Sequence, residues 1–112
     1  MNIKEKYLSI EMPDNSVWVV PVEVIARNRA EYYAHEFGGD VEKSLAEDTI
    51  PLFLSDFFEI EDWAANNMDW EDVKGSAFLL VPTKDTDFQE GWVNGEKKIL
   101  DIEEIERKRI VP

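Results

Sequence analysis

The sequence contains no cysteine and a single histidine, His35, among its 112 residues. The absence of cysteine excludes a disulfide-linked scaffold, a thiolate zinc site and a thiol nucleophile. One histidine excludes any site that requires two imidazole groups. No apolar run approaches the roughly 18 residues that a membrane-spanning helix needs, and residues 1–7 contain no apolar stretch typical of a signal peptide. We therefore expect a cytoplasmic protein.

Basic residues are also scarce. The chain has 12 lysines and arginines against 25 acidic residues, which gives a net charge of −13. This imbalance argues against direct binding to nucleic acid or to an anionic membrane. The chain is nevertheless 44% hydrophobic and 12% aromatic, which is more than a disordered acidic tail contains. Residues 1–112 have the length of one ordinary domain. The composition therefore predicts a single acidic, folded domain.

The first part of the chain predicts a β-hairpin followed by a helix. Apolar and polar residues alternate over residues 7–12, and residues 17–20 are β-branched or aromatic, as is typical of strands. Residues 13–16 between them are typical of a turn. Apolar residues then recur at helical spacing over residues 21–37, and Gly38 suits the end of that helix.

Residues 40–74 predict short helices. Asp40 can cap a helix that continues to residue 47, and Pro51 predicts a break near residues 49–50 because proline disrupts a helix interior. Two stretches have the form of a capping box, an acceptor followed three residues later by an acid. They are Asp56 with Glu59, which opens a helix that has Phe57, Ile60, Ala64 and Met68 on its apolar face, and Asp69 with Asp72, which opens a single turn.

The last third of the chain predicts strands. Residues 77–81 form a continuous apolar run, which is typical of a central strand buried on both faces. Residues 88–93 and 96–102 flank the Asn94-Gly95 dipeptide, which is typical of a two-residue hairpin turn. Residues 103–112 are highly charged and predict a frayed tail or one short helix. The whole pattern predicts an α+β fold in the order ββ-ααα-βββ, a small, mainly antiparallel sheet with helices packed on one face.

The negative charge is concentrated in residues 40–74, which contain eleven acids and only two bases, Lys43 and Lys74. One interpretation is a solvated face that keeps the protein soluble, and the other is a surface that binds a basic partner. The candidate residues for such a binding surface are together called the predicted acidic surface. They are Asp56, Glu59, Asp62, Trp63, Asp69, Trp70, Glu71 and Asp72.

The natural partner of such a surface is a basic protein surface, including one that normally holds nucleic acid, since duplex DNA is itself a dense array of negative charge. A partly exposed Trp63 or Trp70 would add a contact of the kind enriched at interface hot spots. For all four tryptophans, which include Trp18 and Trp92, the acidic surroundings disfavour base stacking and favour core packing or a protein interface. We expect no cofactor, and no catalytic or metal-binding residues.

Catalytic motifs are few. The sequence has no G-x-S-x-G turn, no phosphate-binding loop and no G-x-G-x-x-G motif. His35 is interpreted as a structural or partly exposed residue. Residues 85–96, which begin with Asp85, superficially follow a calcium-binding loop, but Glu90 occupies the position that requires glycine.

Two other functions remain open beside a non-enzymatic interaction protein. A carboxylate-dependent hydrolase or nuclease could hold Mg²⁺ through Asp62, Asp69, Glu71 and Asp72, provided that these side chains converge in a cleft. A structural subunit could form a homo-oligomer through an apolar patch at residues 52–54.

The stretch DWAANNMDWEDV at residues 62–73, with RAEYYA at residues 29–34 before it, resembles small uncharacterised proteins encoded by phages and prophages. The resemblance covers residues 16–80. It implies a compact accessory protein that works in the host cytoplasm. Proteins of that kind include acidic inhibitors of host nucleic-acid-binding factors, so the resemblance favours a DNA mimic.

If the acids of the predicted acidic surface repel one another, the melting temperature at pH 7 should rise with added salt, because salt screens charges over a Debye length of about 8 Å at physiological ionic strength. Mild acidification should act in the same direction, since protonation removes charge. The variants Asp62→Asn and Glu71→Gln should also melt at higher temperature when unfolding is followed by circular dichroism. A melting temperature that falls with salt and in both variants would contradict this repulsion.

Overall fold

A four-stranded antiparallel sheet joins the two ends of the chain. The computed structural model describes residues 3–81 and 87–109, and the strand order in its sheet is β3-β2-β1-β4. The strands are β1 (Lys6–Glu11), β2 (Val17–Pro21), β3 (Phe78–Val81) and β4 (Lys97–Asp101). Leu8 of β1 lies opposite Val20 of β2 on one side and opposite Ile99 of β4 on the other. The α+β class and the first hairpin are therefore confirmed, but the order of elements differs from the predicted one.

The first helix, α1, follows β2 directly and spans Val22–Tyr33. A short 3₁₀ turn, Ala34–Phe37, extends it, and Gly38 ends it with a φ of 66°. This left-handed conformation is the one that glycine adopts without steric cost. The predicted helix over residues 21–37 and its glycine end are confirmed.

The predicted helix break at Pro51 is wrong. The helix α2 (Val41–Ser44) continues through a π-helical segment, Leu45–Thr49, into α3 (Ile50–Ser55). Asp40 caps α2 as predicted, since its carboxylate accepts the N–H of Lys43 at 3.1 Å. In the π segment the N–H of Ile50 donates to the carbonyl of Leu45, five residues earlier. We attribute the missing break to this wider turn, which relieves the clash of a proline ring with the carbonyl four residues before it.

The helices α4 (Phe58–Asn67) and α5 (Trp70–Val73) begin close to their predicted starts. The capping box at α5 is confirmed: the Asp72 carboxylate accepts the N–H of Asp69 at 2.8 Å. The box at Asp56 is only half formed. Its carboxylate accepts the N–H of Phe58 at 3.0 Å, but its own N–H donates to the Leu52 carbonyl instead of to Glu59.

The second predicted hairpin is wrong. Residues Phe88–Asn94 form a helix, α6, whose N-terminus is capped by Asp87. The strand β4 then pairs with β1, not with the residues before Asn94. The glycines of this stretch serve tertiary packing: side chains at Gly91 and Gly95 would collide with Met12 and with the carbonyl of Glu11, respectively. A glycine pattern typical of a tight turn thus marks places where two backbones approach closely.

One further prediction is corrected and another is confirmed. The strand β3 is an edge strand, not a central one, and Leu79 within it is 41% exposed. Residues Ile102–Arg109 form the helix α7, which confirms the helical alternative for the C-terminal segment. Asp85 and residues 110–112 lie outside the described residues.

Helices cover both faces of the sheet, so the prediction of helices on one face is wrong. The larger core lies between the sheet and the helices α1 to α6, and the smaller core lies under α7. The two cores form because side chains of a strand alternate between its faces, as Val19 and Val20 do. The buried residues of the smaller core are Val19, Leu100 and Ile105.

The variant Gly95→Ala should lose about 1–3 kcal/mol of unfolding free energy, the usual cost of overpacking, because its methyl group would collide with the carbonyl oxygens of Glu11 and Gly91. Urea denaturation measures this loss. Gly75→Ala is the matched control, since no described atom lies within 4 Å of the site of its Cβ, and it should change stability by less than about 0.5 kcal/mol. Equal losses in the two variants would contradict the close approach at Gly95.

Candidate functional site

The two tryptophans of the predicted acidic surface are buried. Trp63 is 9% exposed and Trp70 is 8% exposed. The indole N–H of Trp63 donates to the side-chain oxygen of Asn28 in α1 at 2.9 Å, and the Trp70 ring stacks on Phe88 of α6 with 5.2 Å between centroids. These side chains therefore connect helices, and the expected exposed hot spot is absent at both of them.

The remaining tryptophans also belong to the core, as predicted. Trp92 is fully buried, and its indole N–H is shared between the carbonyl oxygens of Ala64 and Met68 at 3.0 Å each. Trp18 is half-buried and packs edge-on against Trp70 and Phe88. The aromatic side chains thus hold α4, α5 and α6 against the sheet.

The acids of the predicted acidic surface have different local roles. Asp56, Asp69 and Asp72 cap helices, as described above, and Asp69 also accepts the side-chain N–H of Gln89 at 3.2 Å. Asp62 accepts the side-chain N–H of Asn66 at 2.9 Å, and Glu59 is half-buried. Glu71 forms an ion pair with Lys74 at 2.7 Å. Because Glu71→Gln would remove this ion pair, we no longer expect that variant to melt at a higher temperature. The rise expected for Asp62→Asn is unchanged.

Asp62 and Asp72 border different depressions of the surface. Asp62 lies beside Phe58 and Lys97, whereas Asp72 lies beside Glu31 of α1. Within the described parts of the chain, no group of three or more acidic or histidine side chains is placed to hold a metal ion. The convergence that a carboxylate metal site at Asp62, Asp69, Glu71 and Asp72 would require is therefore not found there.

The structure also places three other features singled out from the sequence: the calcium-like stretch, His35 and the apolar patch at residues 52–54. Asp87, from the calcium-like stretch, caps α6 through the N–H of Glu90 at 3.0 Å. His35 is exposed, as expected, and its Nδ1 lies 3.1 Å from the carbonyl of Tyr32. In the apolar patch at residues 52–54, Phe53 is fully buried, so the three residues do not present a common exposed face.

Two adjoining depressions form a groove along α1, which we name the α1 groove. The first has a volume of about 400 Å³ and is lined by Asn28, Glu31, Tyr32, Trp63 and Asn67. The second has a volume of about 300 Å³ and is lined by Val24, Arg27, Asn28, Glu31, Met68 and Asp72. Asn28 and Glu31 line both depressions, so the two adjoin at α1.

The α1 groove combines apolar and acidic groups. Trp63 and Met68 are buried beneath it, and Tyr32 beside them is 63% exposed. Its acids are Glu31 and Asp72. Among the described residues, the one base that lines it is Arg27, which is paired with Glu42 at 3.1 Å and with Glu23 at 3.5 Å. The hydrogen bond and charge of Glu42 raise the pKa of Arg27 above its ordinary value.

The groove residues on α1 were missed by sequence reasoning. Glu31 and Tyr32 lie outside the buried positions of that helix, which are Val22, Ile25, Ala26 and Ala30. The available signal was an aromatic residue next to an acid on the polar side of an amphipathic helix. Net charge pointed to residues 40–74 instead, because α1 itself has little charge imbalance.

A smaller depression of about 220 Å³ is lined in part by Asp62. Phe58, which is 63% exposed, borders it together with Glu61 and Lys97. Burial raises the pKa of Glu61, and the charge of Lys97 opposes this change. Burial lowers the pKa of Lys97, whose ammonium group donates to the carbonyls of Val93 and Gly95 at 3.0 Å each.

No protein-family model, curated protein or solved structure matches the chain. Among the helices of the described segments, none is both long and apolar enough to span a membrane.

The raised pKa of Glu61 gives a pH-dependent prediction. The folded protein binds this proton more tightly than the unfolded chain, so the carboxylate destabilises the fold above the raised pKa. Glu61→Gln should therefore raise the free energy of unfolding at pH 7, and the gain should shrink as the pH falls toward 4.5, because protonated glutamate resembles glutamine.

Urea denaturation at several pH values measures this difference. Glu47→Gln is the control, since Glu47 is an exposed acid on the π segment, and it should give no comparable pH-dependent gain. If Glu61→Gln lowered stability at pH 7, the attraction between Glu61 and Lys97 would outweigh the effect of burial.

Proposed function

We propose that this protein is a non-enzymatic, acidic interaction protein that binds a basic surface of another protein and thereby keeps nucleic acid from it. The observation that carries this proposal is the set of uncompensated acids in residues 40–74. Among the described side chains, only Glu42, Asp48 and Glu71 of these eleven acids have a basic group within 4 Å. Of the acids without such a pair, Asp62, Asp69 and Asp72 are exposed.

Electrostatics gives the physical reason for a partner. Carboxylates without nearby bases repel one another and destabilise the compact state, and a basic partner would relieve this repulsion on binding. Complementary charge also accelerates association and makes it strongly dependent on salt. The exposed positions of Asp62, Asp69 and Asp72 support this interpretation.

We further propose a phage or prophage setting, in which the protein acts in the host cytoplasm on a host nucleic-acid-binding factor. The support for this setting is the resemblance of residues 62–73 and 29–34 to phage-encoded proteins. The net charge of −13 is consistent with a protein that competes with nucleic acid for a basic groove.

The proposal predicts displacement of nucleic acid. Labelled duplex DNA or RNA would be bound to each of a panel of purified basic nucleic-acid-binding domains, and the protein would be added while fluorescence anisotropy is followed. We expect release from at least one domain, with an apparent affinity that falls as salt rises from 50 to about 200 mM. We expect no binding of the protein to the free nucleic acid.

A matched pair of variants separates a local surface from net charge. Glu59→Gln with Asp62→Asn removes two charges from α4 and should weaken displacement about tenfold. Glu103→Gln with Glu106→Gln removes two charges from α7, on the opposite face of the sheet, and should have a much smaller effect. Equal losses would contradict a defined surface, and failure to displace nucleic acid from any domain would contradict the proposed function.

A further inference from the structure

We infer that the α1 groove binds an arginine side chain of the basic partner, with the guanidinium group over the exposed Tyr32 ring and in contact with Glu31, while Asp72 adds negative charge further along the groove. This inference rests on the proposed function, because it assigns a specific contact to the same interaction. It adds the chemical identity of the residue that is recognised, and it adds α1 to the binding surface.

The protein already holds one of its own arginines in this way. The guanidinium carbon of Arg29 lies 4.7 Å from the ring centroid of Tyr33 and 5.8 Å from that of Trp63. One of its N–H groups donates to Asp48 at 2.8 Å and to Thr49 at 2.9 Å. An aromatic face combined with a carboxylate therefore binds a guanidinium group in this part of the molecule.

The same aromatic cluster extends into the groove. The Tyr32 ring lies 4.9 Å from Tyr33 and 5.5 Å from Trp63, centroid to centroid. These contacts hold the ring in place although the residue is 63% exposed. Its immobilised and exposed ring can accept a cation at little additional entropic cost.

The charge of the groove also favours a cation. No ion pair within 4 Å of Glu31 or Asp72 occurs among the described side chains, whereas the only lining base, Arg27, is already shared by Glu23 and Glu42. The groove therefore attracts a cation and disfavours a phosphate or an acidic peptide.

Arginine fits this groove better than lysine does. Its planar guanidinium group can stack on an aromatic ring while its N–H groups contact a carboxylate, and it is less strongly hydrated than an ammonium group. Tyr32 and Glu31 border the same depression, so a single side chain can approach both.

The test uses two synthetic peptides of equal charge, a Gly-Ser background with three arginines and the same background with three lysines. Binding to the full ¹⁵N-labelled chain would be followed by two-dimensional NMR at 50 mM salt. We expect the arginine peptide to bind about three- to tenfold more tightly, the range that a cation–π contact provides. It should shift the amide signals of Glu31 and Tyr32 and the indole N–H signal of Trp63.

Variants identify the contact. Tyr32→Ala should reduce the preference for arginine to about one, and Tyr32→Leu, which keeps apolar bulk, should do the same. Glu31→Gln should weaken both peptides. Phe58→Ala is the matched control, because Phe58 is also 63% exposed but lies outside the groove, and it should leave the preference unchanged. The Trp63 indole signal reports whether each variant remains folded.

Equal binding of the two peptides, or loss of the preference in Phe58→Ala and not in the Tyr32 variants, would overturn the arginine site. The proposed function would survive either result if the protein still displaced nucleic acid from a basic domain. If the protein displaced no nucleic acid but still preferred the arginine peptide through Tyr32, the arginine site would be supported and the proposed function would be contradicted.

Discussion

The buried indole of Trp92 is the interaction on which the arrangement of the helices depends. Its single N–H satisfies the carbonyls of Ala64 and Met68 at the end of α4, where a helix leaves its last carbonyl groups without internal partners. The α6 helix, which carries Trp92, is thereby fixed to α4. Because Trp63 of α4 in turn donates to Asn28 of α1, this contact also sets the position of the α1 groove. An acidic surface with few internal ion pairs depends on such neutral, buried contacts for its shape.

The fold was predictable where local chemistry alone decides the structure. The hairpin of β1 and β2, the glycine end after α1 and the capping box of α5 each follow from a few neighbouring residues, and each is confirmed. The failures involve contacts between residues distant in sequence. Asn94-Gly95 has the chemistry of a turn, but Gly95 is needed because Glu11 passes against it. The place of β3 at the sheet edge could not be inferred from its apolar run, since strand order is a property of the whole chain.

The candidate surface was predictable in charge but not in shape. Asp62 and Asp72 were identified from the acid count, and both are exposed. The sequence could not reveal that Trp63 turns inward, because its burial depends on Asn28 and on the tyrosines of α1. It also could not show that Glu31 and Asp72, which are distant in the sequence, line the same depression, because this depends on where α5 lies relative to α1. Net charge identifies the segment whose acidic side chains repel one another, whereas tertiary packing decides where a concave surface forms.

The π-helical segment before Pro51 determines the rotational phase of α3. Leu45 and Phe53 are both buried in the larger core, although they are eight residues apart. In an uninterrupted α-helix, with about 100° per residue, they would point about 80° away from each other. A π turn accommodates one more residue than an α turn, which reduces this difference to about 20° in the opposite sense. The π turn thus absorbs one residue and keeps Phe53 directed into the core, whereas the same residues wound as a regular α-helix would turn Phe53 toward the edge of the helix layer.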